Sequence, residues 1–206
     1  MKSRVFFLSA LAAMCLPLAA HADDMAWYGA FDLGQAHYSG ATGSVSALGG
    51  TSHVSDNDTA YRFTGGFQFN QWFGAEASYV DFGQAEVDVT TTAPAGTYAA
   101  KRQVHGFVLD GTGTFPFNDS WSVFARLGGI MGHVKVDATG TGAFGASGGS
   151  ETSTDWKVTY GVGVNWKLTP NWIVRAGWDQ YSSLGNQNKT GENDVNLASI
   201  GVVYRF

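Results

Sequence analysis

Along most of this chain apolar and polar residues alternate one by one, most regularly at its end. In Val195 to Phe206, the residues Phe206, Tyr204, Val202, Ile200 and Ala198 share one parity, and Arg205, Val203, Gly201, Ser199 and Leu197 share the other. Successive side chains of a β-strand point to opposite faces, so a period of two predicts a strand, here with one wholly apolar face. The same period recurs upstream and predicts strands over Ala26 to Tyr38, Thr59 to Phe69, Trp72 to Phe82, Arg102 to Phe115, Trp121 to Val136, Trp156 to Lys167 and Trp172 to Ser182. Three connections are short: Asn70-Gln71, Pro116 to Ser120 and Leu168 to Asn171. Four are long and rich in Gly, Ser and Thr, and read as loops: Ser39 to Asp56, Gly83 to Lys101, Asp137 to Ser153 and Ser183 to Asp194. Val87 and Val89 leave room for the second of these to extend its flanking strands.

Eight strands joined by alternating long and short connections predict an all-β fold. The expected form is an eight-stranded antiparallel up-and-down transmembrane β-barrel with short periplasmic turns and four long extracellular loops. Each strand offers ~10 residues, enough to cross a bilayer when tilted. Trp27, Trp72, Trp121, Trp156, Trp166 and Trp172 lie near strand ends, where an aromatic girdle belongs. The charges sort by parity. Asp32, Glu76, Asp110 and Asp179 share the inward parity with Arg62, Arg126, Lys157 and Arg175, whereas the outward parity of the same spans is nearly free of charge, Asp81 excepted. Buried charges need partners, so an interior ion network of these eight residues is expected. Such an interior serves either as a sealed polar core or as a gated ion path. The filled lumen usual for eight strands favours the sealed core.

Composition changes this picture in two places. The 28 glycines and 14% aromatic residues suit many turns and an aromatic belt, and a formal charge of −5 lacks the basic patch that nucleic acid requires. Met1 to Ala22 has the three parts of a cleaved signal peptide: Lys2 and Arg4, an apolar run from Val5 to Ala20, and Ala20-His21-Ala22. The mature barrel domain would then span residues 23–206. The single cysteine, Cys15, would leave with the signal, so closed backbone pairing has to supply the stability that disulfides give other exported proteins.

The segments FNQWFGAEASYVDFG, FPFNDSWSVFARLGG, LTPNWIVRAGWDQYSS and LASIGVVYRF resemble the transmembrane domain of the OmpA family of outer-membrane proteins. The resemblance implies a cell outer membrane location in a Gram-negative envelope. It also implies that the peptidoglycan-binding domain of longer members is not included, since the chain stops at Phe206. That family holds two acids and two bases inside its barrel. Glu76 and Arg175 match one of each, with loss of Glu76 then expected to leave Arg175 unpaired. The other two positions fall at Thr112 and Asn165, so a gate based on exchange among four charges is not carried over. The terminal Tyr204-x-Phe206 resembles the signal by which such barrels are recognised for assembly.

Candidate chemistry is sparse. His37-Tyr38-Ser39 and His53-Val54-Ser55 have the His-x-Ser spacing of lipid A-modifying outer-membrane enzymes, but they lie in the first strand and first loop rather than in the C-terminal half. His105 and His133 sit near strand ends, and no His, Asp or Glu spacing suggests a metal site. Gly140 to Gly149 lacks the lysine and helix of a phosphate cradle. No enzyme activity, cofactor or metal is expected. Function is left to the loops, which a rigid scaffold displays. The expected role is structural, in envelope integrity, and adhesive, through surface interaction; the alternatives are a small ion-conducting pore and, less favoured, a lipid A-modifying enzyme. Expected partners are outer-membrane lipid and lipopolysaccharide, the barrel-assembly machinery with periplasmic chaperones, and a host-surface or phage ligand.

Overall fold

The computed structural model describes residues 25–39, 51–55, 57–92, 95–142, 147–186 and 191–206. The expected signal peptide, Met1 to Ala22, and most of the first long connection lie outside these. The described chain is a single antiparallel sheet. Its strands are β1 (Ala26–Ser39), β2 (Thr51–Ser55 and Asn57–Gln68), β3 (Phe73–Thr92), β4 (Ala95–Pro116), β5 (Trp121–Gly142), β6 (Ser147–Lys167), β7 (Trp172–Asn186) and β8 (Gly191–Arg205). Both parts of β2 pair with β3 and so form one stave of the wall. Every strand pairs with its neighbours in sequence. β1 also pairs with β8 from Tyr28↔Arg205 to Ser39↔Asp194, which closes the sheet into an eight-stranded barrel. Around the barrel body, closure leaves no open edge among the described residues, the condition for a sheet to sit in hydrocarbon.

The three short turns share one local chemistry. In each, a polar side chain accepts backbone N–H groups two or three residues ahead: Asn70 from Trp72 and Phe73, Asn118 from Ser120 and Trp121, and Thr169 from Trp172. These local bonds set the reversal without a glycine at its centre, as Asx and Ser/Thr turns do. Each turn then delivers a tryptophan to the start of the next strand. Trp72, Trp121 and Trp172 stand with Trp27 and Trp166 around the end of the barrel that carries the turns. Trp121 stacks on Trp166 at 5.6 Å, Trp172 meets Tyr204 at 4.9 Å, and Trp27 meets Phe67 at 4.8 Å. Trp156 lies exposed on the outer face toward the opposite end, beside Met131 in register.

At that opposite end the structure departs from the sequence reading. Much of what reads as loop is paired strand. Gln84–Thr92 pairs with Ala95–Gln103, 137–140 pairs with 147–150, and Thr51–Ser55 pairs with Glu86–Thr90. The strands β3 to β6 are 20–22 residues long, about twice what a bilayer crossing needs. The reason is chemical. Threonine pairs well across strands, as Thr97 and Thr141 do through their hydroxyls at 2.6 Å, so a Thr-rich stretch with little apolar patterning still forms a ladder when its hairpin partner is in register. Two bulges mark the step from barrel to ribbon, between Asp81 and Gln84 and between Tyr181 and Leu184. Gly83 supplies the positive φ of the first, and Ser183 adopts it in the second, where its N–H is held by Asp194.

Candidate functional site

Inward residues occupy even positions in β1 to β5 and odd positions in β6, in β8 and in β7 as far as its bulge, as the burial pattern shows residue by residue. Along the barrel axis they form three layers. Nearest the turns is a cavity of about 90 Å³ with a mixed lining that includes Tyr28, Thr112, Asn165, Phe124, Ile173 and Val203. Above it lies a charged layer. Above that is an apolar plug built from Ala36, Tyr38, Ala60, Val80, Phe82, Val104, Val108, Ile130, Val134, Tyr181, Leu184, Val195 and Leu197, all buried. Phe82 and Tyr181 meet edge to face at 4.7 Å in the plug, and Tyr38 donates its hydroxyl to the Phe82 carbonyl at 3.1 Å. The sequence reading saw the inward face as polar and missed this plug. The signal lies in the inward parity of the upper half of every strand but β6, where Ser153, Asp155 and Lys157 are polar.

The charged layer brings together seven of the eight expected residues. Arg175 donates from Nε to Asp32 at 2.6 Å, from Nη2 to the other oxygen of Asp32, and from Nη1 to Glu76 at 3.1 Å. The fork geometry of guanidinium against carboxylate is the strongest form of such a pair. Arg62 donates to Asp110 at 2.7 Å and to Tyr181 at 3.3 Å, and stands 3.6 Å from both Glu76 and Asp179. Arg126 lies 3.5 Å from Asp179 and 3.8 Å from Glu76, with its guanidinium 4.6 Å over the Phe124 ring. Thr159 and Tyr28 add one hydrogen bond each, donating to Asp110 at 2.8 Å and to Glu76 at 3.0 Å. Lys157 shares the inward parity but is only half-buried, whereas the three arginines are buried. Glu76 is therefore a hub touched by three arginines rather than half of one pair. Arg175 keeps Asp32 whatever happens at Glu76, which corrects the expectation that losing Glu76 strands it.

The register explains how so many large side chains fit. Asp32 and Arg175 both lie opposite Gly201 on the neighbouring strands, Asp110 lies opposite Gly128, and Asp179 and Arg126 lie opposite Gly161. A Cβ on Gly201 would collide with the Asp32 carboxylate and the Phe31 carbonyl. These inward glycines are part of the charge network. The sequence reading counted them only as turn and strand formers.

On the outer face the exposed large residues are Trp27, Phe31, Leu33, Phe63, Phe107, Leu109, Leu127, Val158, Val162 and Ile200 among others. Asp81, the outward charge, accepts from Tyr61 at 3.1 Å at the level of the first bulge. His37 is outward and exposed on β1, and the side chain of His53 lies outside the described residues. Tyr204 and Phe206 stack edge to face at 5.2 Å, and the Phe206 N–H donates to the Trp27 carbonyl across the closing seam at 3.0 Å.

An apolar belt outside, charges inside and closed pairing define an integral membrane β-barrel of the outer-membrane class. Residues 21–206 match the OmpA-like transmembrane domain, and the chain belongs to that family. Outer membrane protein A of Escherichia fergusonii is 28% identical over 208 residues, covering 100% of this chain and 55% of that protein. The Yersinia pseudotuberculosis protein of the same name is 27% identical over 186 residues, covering 89% of this chain and 49% of its own. The chain thus spans about half the length of the curated relatives it matches. Among solved structures, Neisserial surface protein A has a TM-score of 0.58 at 14% identity, covering 87% of this chain and 97% of that one. Ail, the attachment invasion locus protein of Yersinia pestis, has a TM-score of 0.51 at 16% identity, covering 89% and 98%. These likenesses show the fold. The protein resides in the Gram-negative outer membrane.

Proposed function

We propose that this protein is a rigid post of the cell envelope that displays β-ribbons for contact at the cell surface, and that it neither conducts nor catalyses. The observation that carries this reading is the pairing of a plugged interior with strands that run far past the membrane. The apolar plug and charged layer fill the lumen, so nothing in the interior invites passage. The ladders of β3 to β6 continue about 20 Å beyond the lipid band at ~3.3 Å per residue and a tilt of about 40°, and they carry Thr90, Thr97, Lys101, Thr139, Glu151 and Thr152 on exposed positions. A paired ribbon presents such groups in fixed spacing, at lower ordering cost on binding than a loose loop. Ail is named for attachment, and it shares this architecture. With the turns and termini toward the periplasm, the ribbons face outward.

The test is to shorten the ribbons. Replacing Gln84–Gln103 by a two-residue type I′ turn keeps the barrel and removes its longest projection. In a strain lacking other adhesins, the trimmed barrel is expected to reach the surface in equal amount yet to lose most of its binding to host cells or matrix. Equal binding by both would overturn the surface role and leave an envelope role alone.

We further propose that export uses the Met1 to Ala22 signal with cleavage before Asp23, and that outer-membrane lipid, lipopolysaccharide, periplasmic chaperones and the barrel-assembly machinery are partners. Phe206 supports an assembly role: it is 77% exposed, more than any other large apolar residue described, and it meets the wall through one ring contact with Tyr204 and one amide bond to Trp27. Deleting Phe206 is expected to cut the yield of heat-modifiable barrel in membranes several-fold while shifting the unfolding free energy of the folded protein by less than about 1 kcal/mol. Equal yield on quantitative cold-versus-boiled gels would reduce the residue to a belt aromatic.

A further inference from the structure

We propose that His105 and His133 form a surface site for a divalent transition-metal ion of the Cu(II)/Zn(II) class. The two histidines are far apart in the chain, and no sequence spacing links them. The hairpin register places them directly opposite each other on β4 and β5, both on the outward parity. Their ring centroids are 5.0 Å apart with the planes 39° from parallel. Two imidazoles on one ion, each at a metal–nitrogen distance of about 2.0–2.1 Å and at a right to tetrahedral angle, put their centroids roughly 4.5–5.2 Å apart. The rings therefore stand at the separation chelation requires without backbone movement.

Two neighbours prepare the pair for a cation. Thr154, opposite His133 on β6, lies with its Oγ1 3.0 Å from His133 Nδ1, a contact that orients the ring and engages only one of its two nitrogens. Such a partner on the second ring nitrogen is the usual device that orients a histidine ligand. On the far side of His105, Asp81 stands opposite it on β3 and adds a negative charge to the same outward row. Among the described residues no three His, Cys, Asp or Glu side chains are grouped to hold an ion together. The protein thus supplies two nitrogens, with water completing the shell, the pattern of an open, exchangeable site. The row stands about 25 Å above Phe115 and Trp121, at the outer rim of the lipid band. An ion there is reachable from outside the cell. Imidazole nitrogens favour Cu(II) and Zn(II) over the hard cations Mg(II) and Ca(II), so competition by the latter should be weak.

The experiment is a titration of Cu(II) into the untagged, folded barrel in detergent micelles, followed by electron paramagnetic resonance. The parent is expected to bind one ion with a two-imidazole signature that Zn(II) displaces and Mg(II) does not. His105→Ala and His133→Ala should each weaken binding about tenfold or more, and Thr154→Val by a smaller factor. Saturable binding of equal strength in the double variant, or none in the parent, overturns the proposal. A readout that needs no variant guards against misfolding. In the parent, Zn(II) should protect His105 and His133 from acylation by diethyl pyrocarbonate and leave exposed His37 reactive, and equal reactivity of all three with and without Zn(II) would equally overturn it.

Discussion

Arg175→Met is expected to lower the unfolding free energy of the barrel by about 3–5 kcal/mol, the largest loss of any single change in the interior. Both oxygens of Asp32 take their described hydrogen bonds from Arg175, and Asp32 is 2% exposed. Removing the guanidinium leaves a carboxylate in the lumen without a hydrogen-bonding base and takes one contact from Glu76 as well. Arg62→Met should cost less, because Asp110 keeps Thr159 and Asp179 keeps Arg126. The comparison separates a local pair from diffuse charge balance. If only net charge mattered, the two substitutions would cost the same. A double change, Arg175→Met with Asp32→Asn, should recover much of the loss, since removing both members of a buried pair is far milder than orphaning one. Equilibrium urea unfolding in lipid vesicles, followed by tryptophan fluorescence, reads all three. An Arg175→Met barrel as stable as Arg62→Met would show that Asp32 finds another partner.

Gly201→Ala should destabilise the barrel by about 3 kcal/mol, although the substitution adds a single carbon and occurs mid-strand, where alanine is ordinarily the better residue. The cause is the collision described above, which falls partly on backbone. The Asp32 carboxylate can swing away only by giving up the Arg175 fork, and the Phe31 carbonyl can move only with its strand. The matched control is Gly113→Ala on the outer face, where an added Cβ meets nothing within 4 Å. That change should stay within about 0.5 kcal/mol. If both variants unfold at the same urea concentration as the parent, the inward glycines are not what seats the charges.

Strand number, parity and the position of the tryptophans were legible in the sequence because each rests on a local rule. Alternation marks a strand with two unlike faces, and the Asn70, Asn118 and Thr169 turns are written in adjacent residues. Three features were not legible, for a common reason. The ribbons beyond the β3–β4 extension that Val87 and Val89 allowed, the glycine seats opposite Asp32, Asp110 and Asp179, and the sharing of Glu76 among three arginines all depend on register between strands. A strand's own sequence shows which face a residue takes but not which residue it meets. The plug was missed on other grounds. In β7 the bulge after Tyr181 shifts parity, so that Leu184 points inward on an even number. In the other strands Val80, Val104 and Ile130 share the inward parity with the charges, and a face defined by its charges reads as polar along its whole length.

The seam between β1 and β8 is built like every other seam. Twelve residues of β1 face β8, the Phe206 amide reaches the Trp27 carbonyl, and Ala26 and Phe206 stand side by side on the turn end of the barrel. A short linker could join them and new ends be opened at a ribbon tip, with every ladder pair kept. In such a rearranged chain Phe206 would sit in the middle of the sequence while its place in the wall stayed the same. The cylinder thus has a beginning only in its gene, and any property that depends on which strand comes last belongs to the journey into the membrane and not to the finished object.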